Sequence, residues 1–186
     1  MSFIENQIKE INLMNEKFSY EFAGFDPDKM DWKPGENIWS INECLDHLIQ
    51  SNGKYYSIFD SIENGTYKGG KWTNFPLLPR MMGKMVLKAV SPDYKRKTKT
   101  FPPFYPLSSH YGKNLTNDLI DENKALIEKF RKCKEENLDK IIVTSPINSF
   151  VTYTLRDCIT ILVEHEKRHF NQAKNVKLNS GKETVK

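Results

Sequence analysis

The stretch that most constrains this chain is residues 163–172, V-E-H-E-K-R-H-F-N-Q. His165 and His169, two of the four histidines in 186 residues, stand four positions apart. On a helix that spacing stacks both imidazoles on one face, one turn apart. Two nitrogens so placed can share one metal ion. The neighbouring residues fit a helix: at about 100° per residue the apolar sector centres near Leu155, Leu162 and Ala173. Both histidines fall on one flank of that sector and Glu166 close to its centre. Glu164, Lys167 and Arg168 face away. An interior that receives two imidazoles and a carboxylate is costly unless they are paired or hold a metal.

A second segment offers a third imidazole. Ser40 and Glu43 form a capping box, S-x-x-E, with Trp39 just before the cap, placed to staple onto the first turns. The helix expected from it runs to about Glu63 and closes at Asn64-Gly65. Its apolar sector centres near Ile41, Leu48 and Phe59. His47 lies at the edge of that sector, with Cys44 and Ser51 on the same flank. Three histidines leave one position of a tetrahedral ion open to water or substrate, as catalytic zinc requires. The competing reading is three hydrogen-bonded core histidines and no metal.

The rest of the chain predicts a bundle. Ile4, Ile8, Ile11, Phe18 and Phe22 mark a first helix, interrupted only by Asn15, and Asp26-Pro27-Asp28 opens a turn. A third helix spans about Thr116 to Cys133, with Leu119, Leu126, Ile127 and Phe130 inward. Leu138 to Ser145 reads as a short extended connection. The fourth helix starts at Thr154, with Asp157 three residues later, and reaches about Leu178. Between helices two and three, residues 65–113 hold six of the nine prolines and five of the nine glycines. That excursion predicts a short helix near Pro79 to Ala89, a basic run (Lys95-Arg96-Lys97-Thr98-Lys99) and aromatics (Trp72, Phe101, Phe104, Tyr105) suited to a lid or to packing. The expectation is an all-α four-helix bundle forming one domain over residues 1–178. Residues 65–113 are its loop-rich insertion and 179–186 a flexible tail.

Composition bounds the function. A net charge of +4 and a pI near 8.8 are too small and dispersed an excess to predict nucleic acid. No apolar run approaches the roughly 18 residues of a membrane span. The N-terminus lacks the basic and apolar regions of a signal peptide. Three widely spaced cysteines form neither a disulfide framework nor a CxxC pair, so a reducing cytoplasm is the expected location.

Two blocks carry a family resemblance. Trp39-Ser40-Ile41-Asn42-Glu43-Cys44-Leu45-Asp46-His47-Leu48 is similar to W-S-x-x-E/Q-x-x-x-H-L. His165 through His169 followed by Gln172 is similar to H-x-x-x-H-x-x-Q. Together they resemble the DinB/YfiT-like superfamily, four-helix bundles that hold zinc or nickel on three histidines. Residue by residue, the resemblance implies His47, His165 and His169 as ligands. It implies thiol transfer, with bacillithiol, mycothiol or glutathione as the kind of co-substrate, or thiol-assisted isomerisation, and it implies frequent dimers. Many members have no known activity. The expected function is therefore a metal-dependent thiol S-transferase or hydrolase acting on a small molecule. The alternative is a metal-binding, stress-response bundle without turnover.

The same residues also read H-E-x-x-H, the zinc-protease pattern. The 17 residues after His169 offer no histidine, and only Glu183 as a further carboxylate, so this is the weakest reading. Glu166 is the candidate general base, or an anchor orienting a ligand, against a plain salt bridge to another helix. Gln172 is a candidate partner of a ligand histidine. Asp46 reads as surface. Cys44 and Cys158 read as small core residues rather than soft ligands, and His110 as an exposed loop histidine rather than a substrate contact. The 95–99 run reads as a solvated loop rather than a device to steer anions.

Overall fold

Four long amphipathic segments close into a ring. The computed structural model describes residues 1–69, 72, 75, 77–94 and 100–180. The basic run 95–99 and residues 181–186 of the expected tail lie outside them. The helices are α1 (Phe3–Phe22), α2 (Pro27–Asp31), α3 (Ile41–Gly53), α4 (Tyr56–Glu63), α5 (Leu77–Val90), α6 (Thr116–Arg131) and α7 (Leu155–Ser180). Helices α1, α6, α3 and α7 form the bundle: α3 packs on both α6 and α7, and so does α1. The all-α bundle read from the sequence is the observed architecture.

Local chemistry explains the boundaries. Ser2 and Glu5 cap α1 with a complete capping box, and Ser40 and Glu43 do the same for α3. The Thr154 hydroxyl accepts the Asp157 amide at 3.0 Å at the start of α7. Asp26 caps α2, a single turn with Pro27 in its first position, where the sequence predicted only a turn.

One further expectation is corrected and one is made more specific. The helix expected over 40–63 breaks after Gly53. Tyr55 turns inward, buries its ring, and places its hydroxyl 2.7 Å from that of Tyr153. That buried pair redirects the chain into α4. The connection expected to be extended contains β1 (Ile142–Thr144), paired antiparallel with β2 (Thr152–Thr154) in register Val143↔Tyr153.

The core lies in two apolar clusters. One gathers Ile11, Phe59, Leu126, Phe130 and Leu162; the other gathers Phe18, Phe22, Leu45, Leu119 and Phe170. Along the chain a polar residue stands between them on each bundle helix: Asn15, Asn52, Asn123 and Glu166. Asn15, the interruption in the first apolar stripe, thus belongs to a polar layer across the bundle. All three histidines of interest lie near that layer.

Candidate metal centre

The sequence placed His47 on one helix and His165 and His169 on another, and the fold brings all three together. The Nε2 atom of His165 lies 3.1 Å from Nε2 of His47 and 3.0 Å from Nε2 of His169. Among the described residues, these three form a group whose donor atoms lie close enough together to hold one ion. Ligand nitrogens about 2.0–2.1 Å from a shared tetrahedral zinc ion lie roughly 3.3 Å apart. The two separations of 3.1 and 3.0 Å come close to that requirement.

Proton placement sharpens the test. Nδ1 of His47 lies 2.6 Å from the carbonyl oxygen of Phe104. A carbonyl only accepts, so Nδ1 carries the hydrogen and the neutral ring presents a bare Nε2. Burial holds all three imidazoles below their ordinary pKa, and for His165 and His169 the neighbouring imidazoles add to the effect. With neutral rings and His47 fixed, no placement of protons gives both close nitrogen pairs a linear hydrogen bond. A cation satisfies all three lone pairs at once. The donor set therefore fits a divalent metal of the borderline class that imidazole suits.

The surroundings are built for that centre. Trp39 stacks on His169 with ring centroids 5.8 Å apart, and tilts over His47 at 4.9 Å. The residue expected to staple α3 thus also walls the site. His47 and His169 are buried, and His165 is half-buried. Nδ1 of His169 has no partner in hydrogen-bond geometry, although the Gln172 amide stands close enough to favour the ring's charged form.

Glu166 faces elsewhere. Its carboxylate accepts from Asn52 Nδ2 at 2.8 Å and from Asn123 Nδ2 at 3.4 Å, and no imidazole is among its hydrogen-bond partners. Asn123 in turn donates to Asn15 Oδ1 at 2.8 Å. Burial raises the Glu166 carboxyl to about 7, with the two amides opposing the rise.

The excursion supplies what residue-level reading missed. A 3₁₀ turn at Pro102–Phe104 delivers the carbonyl that orients His47. Buried Asp46, expected on the surface, holds this loop by accepting the Leu107 amide at 2.8 Å. Buried Asp31 accepts the amides of Tyr111 and Gly112 at 2.8 and 2.9 Å, and Asn42 at 2.6 Å. His110 is exposed and pairs with the same Asp31 at 3.0 Å, so it is engaged away from the histidine cluster. Of the expected lid aromatics, Phe104 is buried, whereas Trp72, Phe101 and Tyr105 are exposed. Cys44 and Cys158 are buried core residues whose thiols burial pushes well up.

Comparison with known proteins agrees with this geometry. The pattern of the DinB superfamily matches residues 11–173, which include all three histidines. The chain belongs to the DinB superfamily. It is 25% identical over 159 residues to the uncharacterized protein YuaE of Bacillus subtilis (strain 168), an alignment covering 84% of this chain and 88% of YuaE. No solved structure matches the chain. Among the described residues, no helix is long and apolar enough to cross a membrane.

Proposed function

We propose that this DinB-superfamily chain is a metal-dependent enzyme whose divalent ion, zinc or nickel, is held by His47, His165 and His169. The observation that carries the reading is the meeting of three neutral imidazole nitrogens, one fixed in its tautomer by the Phe104 carbonyl. A divalent ion there favours the deprotonated form of a bound thiol or water at neutral pH.

The chain's own residues set the rest. The Phe104 carbonyl keeps the His47 proton on Nδ1, and Trp39 shields one side of the cluster from water. The half-buried His165 leaves an approach from solvent. A shallow groove of about 450 Å³ is lined by Ile38 and Tyr94, and by Arg168, Asn171, Gln172 and Asn175 of the helix that carries His165 and His169, although neither histidine lines it. The protein offers no activated thiol of its own: burial pushes up Cys44 and Cys158, and Cys133 rises to about 11. The nucleophile in this reading is therefore bound from solution. We favour a low-molecular-weight thiol transferred to an electrophile, in a cytoplasmic setting and in a monomer or homodimer, with hydrolysis by water as the neighbouring chemistry. Glu166, one residue from His165, has its carboxylate held by Asn52 and Asn123, so we favour an anchoring role for it over that of proton acceptor, and Glu166→Gln tests the choice.

Metal content by mass spectrometry on tag-free protein tests the site. The expected result is about one zinc or nickel per chain, lost in both His47→Ala and His165→Ala. Thiol-conjugation assays on the loaded protein then test the chemistry. A metal-free wild type after reconstitution would overturn the reading. Loaded protein without turnover would leave the non-catalytic metal-binding bundle.

A further inference from the structure

The chain's modest net charge hides a segregation. Residues 65–113 contain ten Lys or Arg and one acid, Asp93, so the remainder of this +4 chain is net acidic. Helix α5 lies within that stretch and holds no acidic residue. Arg80, Lys84 and Lys88 recur every four residues along it, and so do Leu77, Met81 and Met85. At about 100° per residue the two rows run side by side on one arc.

That arc faces outward. Leu77, Met81 and Met85 are 74%, 67% and 61% exposed, and the three basic residues are exposed as well. Phe75, two residues before the helix, is also exposed. The opposite face is fixed. Pro79 and Gly83 are buried, and α5 packs on α7 and β2. A Cβ on Gly83 would lie 2.8 Å from Cγ of Asp157, so the helix sits tight against the start of α7. Arg168, beside His169, donates to the carbonyls of Ala89 and Ser91 at the end of α5. Neither Lys84 nor Lys88 has an ion-pair partner among the described residues.

We propose that this face of α5 docks on an anionic membrane surface. An apolar row flanked by cations, with aromatic residues at one end, is the pattern of a helix that lies in a lipid interface. The basic row complements anionic headgroups, and aliphatic Leu and Met side chains bury in the acyl boundary. Nucleic acid would answer the charge but not that row, since bases call for aromatic stacking or hydrogen bonding. Symmetric pairing of two copies through the same face would concentrate both basic rows, with no acid on α5 to answer them. The contact is peripheral and runs along α5, whose C-terminal end Arg168 ties to the histidine helix.

Co-sedimentation of the full chain tests this, using vesicles of phosphatidylcholine alone and vesicles containing one-quarter phosphatidylglycerol. The expected result is binding to the anionic vesicles that falls with added salt. It should weaken at least about tenfold in Lys84→Glu/Lys88→Glu and comparably in Met81→Ser/Met85→Ser. All four side chains are exposed, so far-ultraviolet circular dichroism should show an unchanged fold. No binding to either vesicle overturns the proposal, as does equal binding to neutral vesicles. Binding to duplex DNA that matches vesicle binding and ignores the methionine variant also overturns it. Light scattering of the chain alone gives one further overturning result: a dimer that dissociates in the methionine variant, which assigns the face to a second copy.

Discussion

Two polar clusters share the middle of this bundle, and they are finished differently. Asn52, Asn123, Glu166 and Asn15 tie α3, α6, α7 and α1 together through side-chain hydrogen bonds of 2.8–3.4 Å. Both Glu166 oxygens and the Nδ2 groups of Asn52 and Asn123 find partners there, and Asn52 Oδ1 is the one buried atom of this network left without one. The three histidines lie on two of the same helices, yet their nitrogens meet in an arrangement that protons alone do not satisfy. A closed network fixes helix positions. An open one stores binding capacity for something the chain does not encode. The contrast gives the first cluster a structural role and leaves the second as the candidate metal site.

The largest effect should come from breaking the open cluster. His165→Ala removes the imidazole between the other two. Apparent zinc affinity, read by competition with a chelator, should fall well beyond the 10- to 100-fold typical of losing a supporting contact. Glu166→Gln should keep the metal stoichiometry. Equal metal loss in both variants would erase the distinction between the clusters.

The clusters should also respond to pH with opposite signs. Glu166 is raised from 4.5 to about 7 in the folded chain. Between those values the folded protein holds a proton that the unfolded chain has released. Stability from this group is full below pH 4.5 and is lost as pH rises through about 7. The imidazoles are lowered by burial, so their contribution is present above their unfolded value of 6.5 and is lost as pH falls below it. In chelator-treated protein, urea unfolding of wild type and Glu166→Gln at pH 5 and pH 8 isolates the first term. The variant should gain roughly 3 kcal/mol on wild type across that range. A constant difference would mean that Glu166 is ionised throughout.

Truncating an amide of the closed cluster comes next. Asn52→Ala leaves the Glu166 carboxylate with one weak bond, that of Asn123 at 3.4 Å. The expected cost is about 1–3 kcal/mol in urea unfolding at pH 8. Metal stoichiometry should not change.

Much of this was legible from residue spacing. The four bundle helices follow from apolar periodicity and the Ser40 cap, and the three histidines from the i,i+4 pair with a third imidazole at a sector's edge. The polar layer was half legible: Asn15 registered only as a break in a stripe, because its partner Asn123 lies 108 residues away. The Phe104 carbonyl left no trace, since a backbone acceptor is the same for every residue type. Asp46 was misread because a helical wheel places it outside the bundle, while the excursion that covers it has no periodicity to declare where it folds. The break after Gly53 was hidden for a similar reason: it depends on a Tyr55–Tyr153 contact between distant parts of the chain.

The smallest predicted effect probes the join between the excursion and the open cluster. Asp46 does not touch the three nitrogens; it accepts the Leu107 amide, three residues beyond the carbonyl that orients His47. Asp46→Asn keeps the shape and still offers one carbonyl oxygen, but it removes the charge from that hydrogen bond, which is among the stronger kind. Metal affinity should fall about tenfold, the lower end for a supporting contact. The denaturation midpoint of the metal-free protein should barely move, because Asp46 lies outside the Asn–Glu network. Asp46→Ala, which loses the acceptor altogether, should weaken the metal further. An affinity loss that merely tracks a loss of global stability would make Asp46 a general fold contact. An affinity loss at constant stability would show that the loop, and not the bundle alone, sets the His47 tautomer.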